Sequence, residues 1–155
     1  MSEDPTVASL SPGDKLCKMV LVTPTGEKDL WIELKSSLVP HTCSSFLSLP
    51  SLPFVRLLPS GFLQSSVPPL PSFPDESFSV PFTSPYTLAM SSSSPHTSNG
   101  QFFITLQPQT HLEGKFVAFG TVVKGGEALE EINEIETVNE RPEGISFKSI
   151  TEITE

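Results

Sequence analysis

Arg56 is the residue of this chain best placed to do chemistry. It is one of two arginines, the other being Arg141, and it stands between Phe54-Val55 and Leu57-Leu58. A charge inside such a run must be paired or functional, because burying an unpaired charge is costly. Its guanidinium is planar, always charged and rich in N–H donors. Held still, such a donor can stabilise a transition state electrostatically, with no nucleophile, metal or cofactor. The other reactive types fit their chemistries less well. His41, His96 and His111 are widely spaced, with no carboxylate or cysteine recurring at ligand spacing, so no metal site is expected. Ser91–Ser94 lacks the Gly-x-Ser-x-Gly elbow of a hydrolase. Cys17 and Cys43 show no ligand spacing; a disulfide between them is open, but they read as reduced thiols.

The elements that must position Arg56 read mostly as strands. Residues 1–14 are polar, with Pro5, Pro12 and Gly13, and read as an N-terminal arm before a single domain over 15–155. An apolar-rich run from Lys15 to Val22 reaches the turn signal Pro24-Thr25-Gly26-Glu27. Leu30, Ile32 and Leu34 then alternate with Trp31, Glu33 and Lys35, so Lys15–Lys35 is expected as a β-hairpin. Thr42 is the expected N-cap of a helix that Pro50 and Pro53 keep short. Phe54–Leu58 is a strand candidate that turns at Pro59-Ser60-Gly61, and Phe62-Leu63-Gln64 continues it. Ser65–Ser72 has no core-forming period and reads as an extended, solvated loop. Tyr86–Met90, Gln101–Leu106 and Phe116–Val123 are further strands, with loop at Ser91–Ser94. Gly125-Gly126 opens a helix with Leu129, Ile132 and Ile135 on one face, and Ile145, Phe147, Ile150 and Ile153 supply a last strand. The tally predicts a mainly β protein, an antiparallel barrel closed at its ends by helices.

Composition narrows the classes of partner. The 155 residues suit one domain with a proper core. Sixteen prolines argue against a mainly helical chain. A net charge of −9 argues against a nucleic-acid binder, which needs a basic patch to meet phosphates. Half of the 18 acids fall between Glu127 and Glu155 and read as a solvated face. No signal peptide or membrane span is visible, so a cytoplasmic or nuclear protein is expected.

Two runs carry a family resemblance. Asn99-Gly100-Gln101-Phe102-Phe103-Ile104-Thr105-Leu106 and His111-Leu112-Glu113-Gly114-Lys115-Phe116-Val117-Ala118-Phe119-Gly120 resemble the signature strands of the cyclophilins, the peptidyl-prolyl cis–trans isomerases. Further landmarks keep the family's order from about Leu16 to Ile153. Pro40-His-Thr-Cys-Ser-Ser-Phe46 is similar to Pro-Lys-Thr-x-x-Asn-Phe, and Phe54-Val55-Arg56-Leu57-Leu58-Pro59 to Phe-His-Arg-Ile-Ile-Pro. Phe62-Leu63-Gln64 resembles Phe-Met-x-Gln, Phe73-Pro74-Asp75-Glu76-Ser77-Phe78 resembles Phe-x-Asp-Glu-Asn-Phe, and Leu88-Ala89-Met90 resembles Leu-Ala-Met. The resemblance implies a closed, eight-stranded antiparallel β-barrel capped by two short α-helices.

It also implies site roles. Arg56 would be the catalytic donor. Phe62, Phe103 and Leu112 would line a cup for the proline ring, with Leu63 and Phe116 near its rim. On their residue types alone these would be plain core residues. Gln64 would bond the substrate backbone and help hold Arg56; Gln101 would be a hydrogen-bonder beneath the site. The chain departs from the family at several points. The segment between Phe46 and Phe54 is short, and the Gly-Gly-Asp and glycine-rich loop expected after Gln64 are replaced by a Ser/Pro stretch. Val55 replaces a histidine, Ser92 an asparagine, and Phe116 a histidine or tyrosine. His111 stands where some members have tryptophan, which implies weak binding of cyclosporin-type ligands.

The implied function is a prolyl isomerase, with lowered activity, that assists folding or switches client proteins. It would need no cofactor and would act on proline-containing peptides or proteins. The alternative is a catalytically weak or inactive proline-peptide-binding or scaffold module in a larger assembly. Outside such an assembly a monomer is expected.

Overall fold

Eight strands with apolar side chains on a shared core pair into a closed barrel. The computed structural model describes residues 4–69, 71–92, 96–135, 137 and 139–154. Strands β1 (Lys15–Thr23) and β2 (Gly26–Leu34) form the expected hairpin, in register from Lys15↔Leu34 to Thr23↔Gly26. Cys17, Met19 and Leu21 of β1 and Leu30, Ile32 and Leu34 of β2 are fully buried, the period-two pattern of a sheet with one face on a core. The remaining barrel strands are β3 (Leu52–Leu58), β4 (Phe62–Ser65), β6 (Thr87–Met90), β8 (Phe102–Thr105), β9 (Ala118–Lys124) and β10 (Ser146–Ile153). They close in the order β1-β10-β3-β4-β8-β6-β9-β2, which makes eight strands, all paired antiparallel. Two short strands, β5 (Phe73–Pro74) and β7 (Thr97–Ser98), pair outside the barrel.

Two helices pack on it. Helix α1 (Pro40–Leu47) buries Thr42, Cys43 and Phe46, and α2 (Gly126–Asn133) buries Ala128, Leu129 and Ile132. Ile135 lies just beyond α2 and packs on the core. Thr42 is not the N-cap of α1. The cap is Val39, which offers no side-chain bond, and Pro40 takes the first helical position, where its missing N–H costs nothing. Thr42 sits two residues further in, where its N–H and its hydroxyl donate to Glu76. No helix among the described residues is long and apolar enough to cross a membrane.

Other expectations shift as well. The strand expected from Phe116 starts at Ala118, because Phe116 belongs to a turn whose N–H donates to the Leu112 carbonyl. Ser65–Ser72 is not uniformly solvated. Ser65 ends β4 fully buried, Pro68 is buried too, and residue 70 lies outside the described residues. Of the Ser91–Ser94 run, only Ser91 and Ser92 are described. Residues 4–14 are tied down at their two ends: Lys124 Nζ meets Asp4 at 2.7 Å, and the buried Asp14 carboxylate accepts from the Ser37 hydroxyl at 2.6 Å.

Phe102 and Phe103 divide the aromatic residues between two faces. Phe102 contacts Phe46, Phe54 and Phe147 inside the barrel. Phe103, one residue on, contacts Phe62, Phe82 and Phe116 on the outer face. Successive side chains of a strand point to opposite faces, so one residue pair serves both a core and a surface groove.

Candidate active site

The groove is built on cross-strand register. Arg56 of β3 pairs with Gln64 of β4, and Gln64 pairs with Phe103 of β8. Directly opposed residues of antiparallel strands share a face. Arg56, Gln64 and Phe103 therefore form a row across three strands on the outer face. A register shift between Phe54 and Arg56 places two residues of β3 against one of β4. Such a bulge re-aims side chains. It leaves Val55 and Arg56 both outward, so Arg56 is 48 % exposed rather than buried in the strand.

The row opens into a groove of about 330 Å³ lined by Arg56, Phe62, Gln64, Ser91, Ser92, Gln101, Phe103, Leu112 and Phe116. The apolar part gathers Phe62, Phe103, Leu112 and Phe116. Phe103 is nearly buried at its floor, with Phe62 tilted on it at 5.6 Å and Phe116 edge-on at 5.5 Å. Leu63 and His111, expected at the site, do not line it. Leu63 alternates inward and is fully buried opposite Ile104, while His111 is exposed on the single turn Thr110–Leu112. A depression of similar size at the β3–β10 seam, about 360 Å³, is flatter and lined by Val22, Leu52, Pro53, Phe147 and Lys148 among others. It brings no such donor row together.

The polar side is wired differently from the expectation. Gln64 does not hold Arg56; its Nε2 donates to Ser91 Oγ at 2.8 Å. Gln101 Nε2 donates to the Ser65 carbonyl at 2.8 Å, which ties the groove floor to the end of β4. Arg56 is held by two groups. Its Nε donates to Glu140 Oε1 at 2.8 Å, and its guanidinium carbon lies 5.1 Å from the centre of the Phe62 ring. The terminal NH₂ groups have no protein partner among the described residues.

Sequence reasoning missed Ser91 and Glu140. Ser91 was hidden in a serine run. Glu140 lies 84 positions from Arg56 in a stretch rich in acids, and no local signal marks it. Among the described residues no three His, Cys, Asp or Glu side chains come together as a metal cluster. Cys17 and Cys43 are buried free thiols.

Comparison with known proteins agrees with this architecture. The family model of the cyclophilin type peptidyl-prolyl cis-trans isomerase/CLD matches residues 19–152, and the chain belongs to that family. A crystal structure of a cyclophilin type peptidyl-prolyl cis-trans isomerase from Cryptosporidium parvum superposes with a TM-score of 0.81 at 23 % identity. The match covers 92 % of this chain and 99 % of that one. A second crystal structure of that protein, in the presence of the dipeptide Ala-Pro, gives a TM-score of 0.80 at 23 % identity, covering 91 % of this chain and all of that one.

Among curated relatives, the "probable inactive peptidyl-prolyl cis-trans isomerase-like 6" of Homo sapiens is 44 % identical over 72 residues. That is 46 % of this chain and 23 % of the relative. Peptidyl-prolyl cis-trans isomerase 9 of Caenorhabditis briggsae is 41 % identical over 64 residues, 41 % of this chain and 20 % of the relative. The chain thus matches less than a quarter of the length of these relatives.

Proposed function

We propose that this chain accelerates rotation about Xaa-Pro bonds. The supporting observation is the in-register row of Arg56, Gln64 and Phe103 beside an aromatic cup. Rotation faces a barrier of ~18–20 kcal/mol because amide resonance gives the C–N bond double-bond character. No bond need break, so catalysis requires only that the twisted amide be bound better than either planar form. On this reading Phe62, Phe103, Leu112 and Phe116 grip the proline ring. The Arg56 guanidinium donates to the proline nitrogen, whose lone pair is freed as resonance is lost, or to the carbonyl oxygen that swings past. Gln64 and Ser91 bond the peptide backbone. That a family member has been crystallised in the presence of Ala-Pro is consistent with a proline-peptide ligand.

A second reading has specific support. The name of the human relative marks it as probably inactive, and here Val55 and Ser92 replace the expected histidine and asparagine while one of the Arg56 nitrogens, Nε, is engaged by Glu140. Under this reading the groove binds proline peptides without turnover.

NMR exchange spectroscopy on a short Ala-Pro-Phe peptide separates the two, with Arg56→Ala alongside. Exchange cross-peaks with wild type that fall about 10²–10³-fold in rate with the variant establish catalysis by Arg56. Shifted resonances without exchange establish a binding module and overturn the isomerase reading. An Arg56→Ala chain that no longer folds makes Arg56 structural.

A further inference from the structure

We propose that Glu140 is the positioning residue of Arg56, fixing the guanidinium so that its terminal NH₂ groups face the groove; this rests on the isomerase reading above. The contact is made at Nε, 2.8 Å from Glu140 Oε1. A carboxylate gripping both terminal nitrogens would occupy the groups that must meet substrate. Bound at Nε, it leaves them available and restrains rotation of the guanidinium plane. Phe62 supplies the second restraint, with its ring 5.1 Å from the guanidinium carbon. The cross-strand neighbour Gln64 gives its Nε2 to Ser91 and makes no bond to Arg56 among the described residues, so the orientation of Arg56 rests on Glu140 and Phe62.

Glu140 is itself anchored. Its carbonyl accepts the Leu57 N–H at 2.7 Å, a bond to the residue next to Arg56. Asn139 and Glu140 both adopt left-handed backbone, with φ of 54° and 63°. Consecutive left-handed positions are unfavourable for residues with a Cβ. Here they turn the chain so that the Glu140 carbonyl and carboxylate both reach β3. The turn, whose sequence is far from the groove's own strands, thereby sets the pose of the donor.

The test uses the full chain labelled with ¹⁵N-arginine. In wild type the Arg56 Nε–Hε resonance should be sharp and exchange with water at least about tenfold more slowly than that of the exposed Arg141. Glu140→Ala should abolish that protection and lower kcat for an Ala-Pro-Phe peptide about ten- to hundredfold, with KM changed less than about twofold. Glu140→Gln keeps an acceptor at the same place and should recover most of both losses. If Glu140→Ala is as active as wild type or more so, Glu140 competes with substrate and the proposal is overturned. If Arg56 Nε–Hε exchanges as fast as Arg141 in wild type, it is overturned without any variant, including where Glu140→Ala fails to fold. A wild type that turns over no peptide would sink the isomerase reading alone. The Nε–Hε comparison would still decide whether Glu140 orients Arg56.

Discussion

Glu76 and Thr42 are joined twice through one oxygen: the Thr42 N–H and the Thr42 hydroxyl each lie 2.8 Å from Glu76 Oε1. The other oxygen accepts the His41 N–H at 3.0 Å. A carboxylate 34 positions along the chain thus does for α1 what Val39 cannot, and favours the positive end of the helix dipole as well. The same bonds pin the segment after β5 to the helix.

The pH dependence of this clasp has a definite sign. Burial works to raise the Glu76 pKa, but the Thr42 and His41 N–H groups and the Thr42 hydroxyl outweigh it and hold the carboxyl below its ordinary range. A depressed folded pKa stabilises the fold above the unfolded value, near 4.5 here, and that contribution is lost as pH falls through the folded pKa. Glu76→Gln should cost about 1 kcal/mol at pH 7. The gap in Tm between wild type and variant should narrow below the ordinary Glu range. A gap that stays constant from pH 7 to pH 3 would refute the assignment.

Phe102→Leu and Phe103→Leu form a paired experiment on the two faces of β8. Each is a modest volume change and should cost up to about 1.5 kcal/mol in urea unfolding. Only Phe103→Leu should weaken binding of a proline peptide, because only Phe103 floors the groove. Equal loss of binding from both would mean that the groove depends on general core integrity rather than on contact with Phe103.

Gly125 and Gly114 separate backbone strain from close approach. Both have positive φ, 98° and 80°. A Cβ at Gly125 would be driven into the Asp29 carbonyl oxygen of β2, whereas one at Gly114 would meet nothing within 4 Å. Gly114→Ala should cost about 1 kcal/mol from its backbone conformation alone. Gly125→Ala should cost clearly more, ~2–4 kcal/mol, by moving the start of α2 off β2. Chemical denaturation of the two variants checks the difference.

Both thiols should be silent in the folded protein. Burial pushes Cys17 and Cys43 up to about 12. At pH 8 the thiolate fraction is then on the order of 10⁻⁴, and the thiolate is the reactive form. A colorimetric disulfide reagent should label neither cysteine in native protein within minutes and both on unfolding in guanidinium. Rapid native labelling would show that the barrel opens locally near β1 or α1.

What this sequence determined by itself is the order of the barrel strands and of the two helices, though not the short β5–β7 pair. Alternation of Leu30, Ile32 and Leu34 marks a hairpin whether or not a barrel exists, and the run from Phe54 to Gln64 carries its own turn. The family resemblance of the landmarks from Pro40 to Gly120 pointed to Arg56, Phe62, Gln64, Ser92, Gln101, Phe103, Leu112 and Phe116, which share one groove with Ser91, and also to Leu63 and His111, which stand outside it. Only the tertiary structure decided which face each side chain takes and what it touches. The bulge at Arg56 is a mismatch between two strands, so neither strand encodes it alone. Leu63 turned inward because register, not residue type, assigns the face. Thr42 lost its place as cap because Pro40 sets the first helical position and a distant carboxylate supplies the bonds. Glu140 reaches Arg56 across 84 positions. An ion pair of that span follows from where closure of the barrel brings two segments, and local residue preference carries no trace of it.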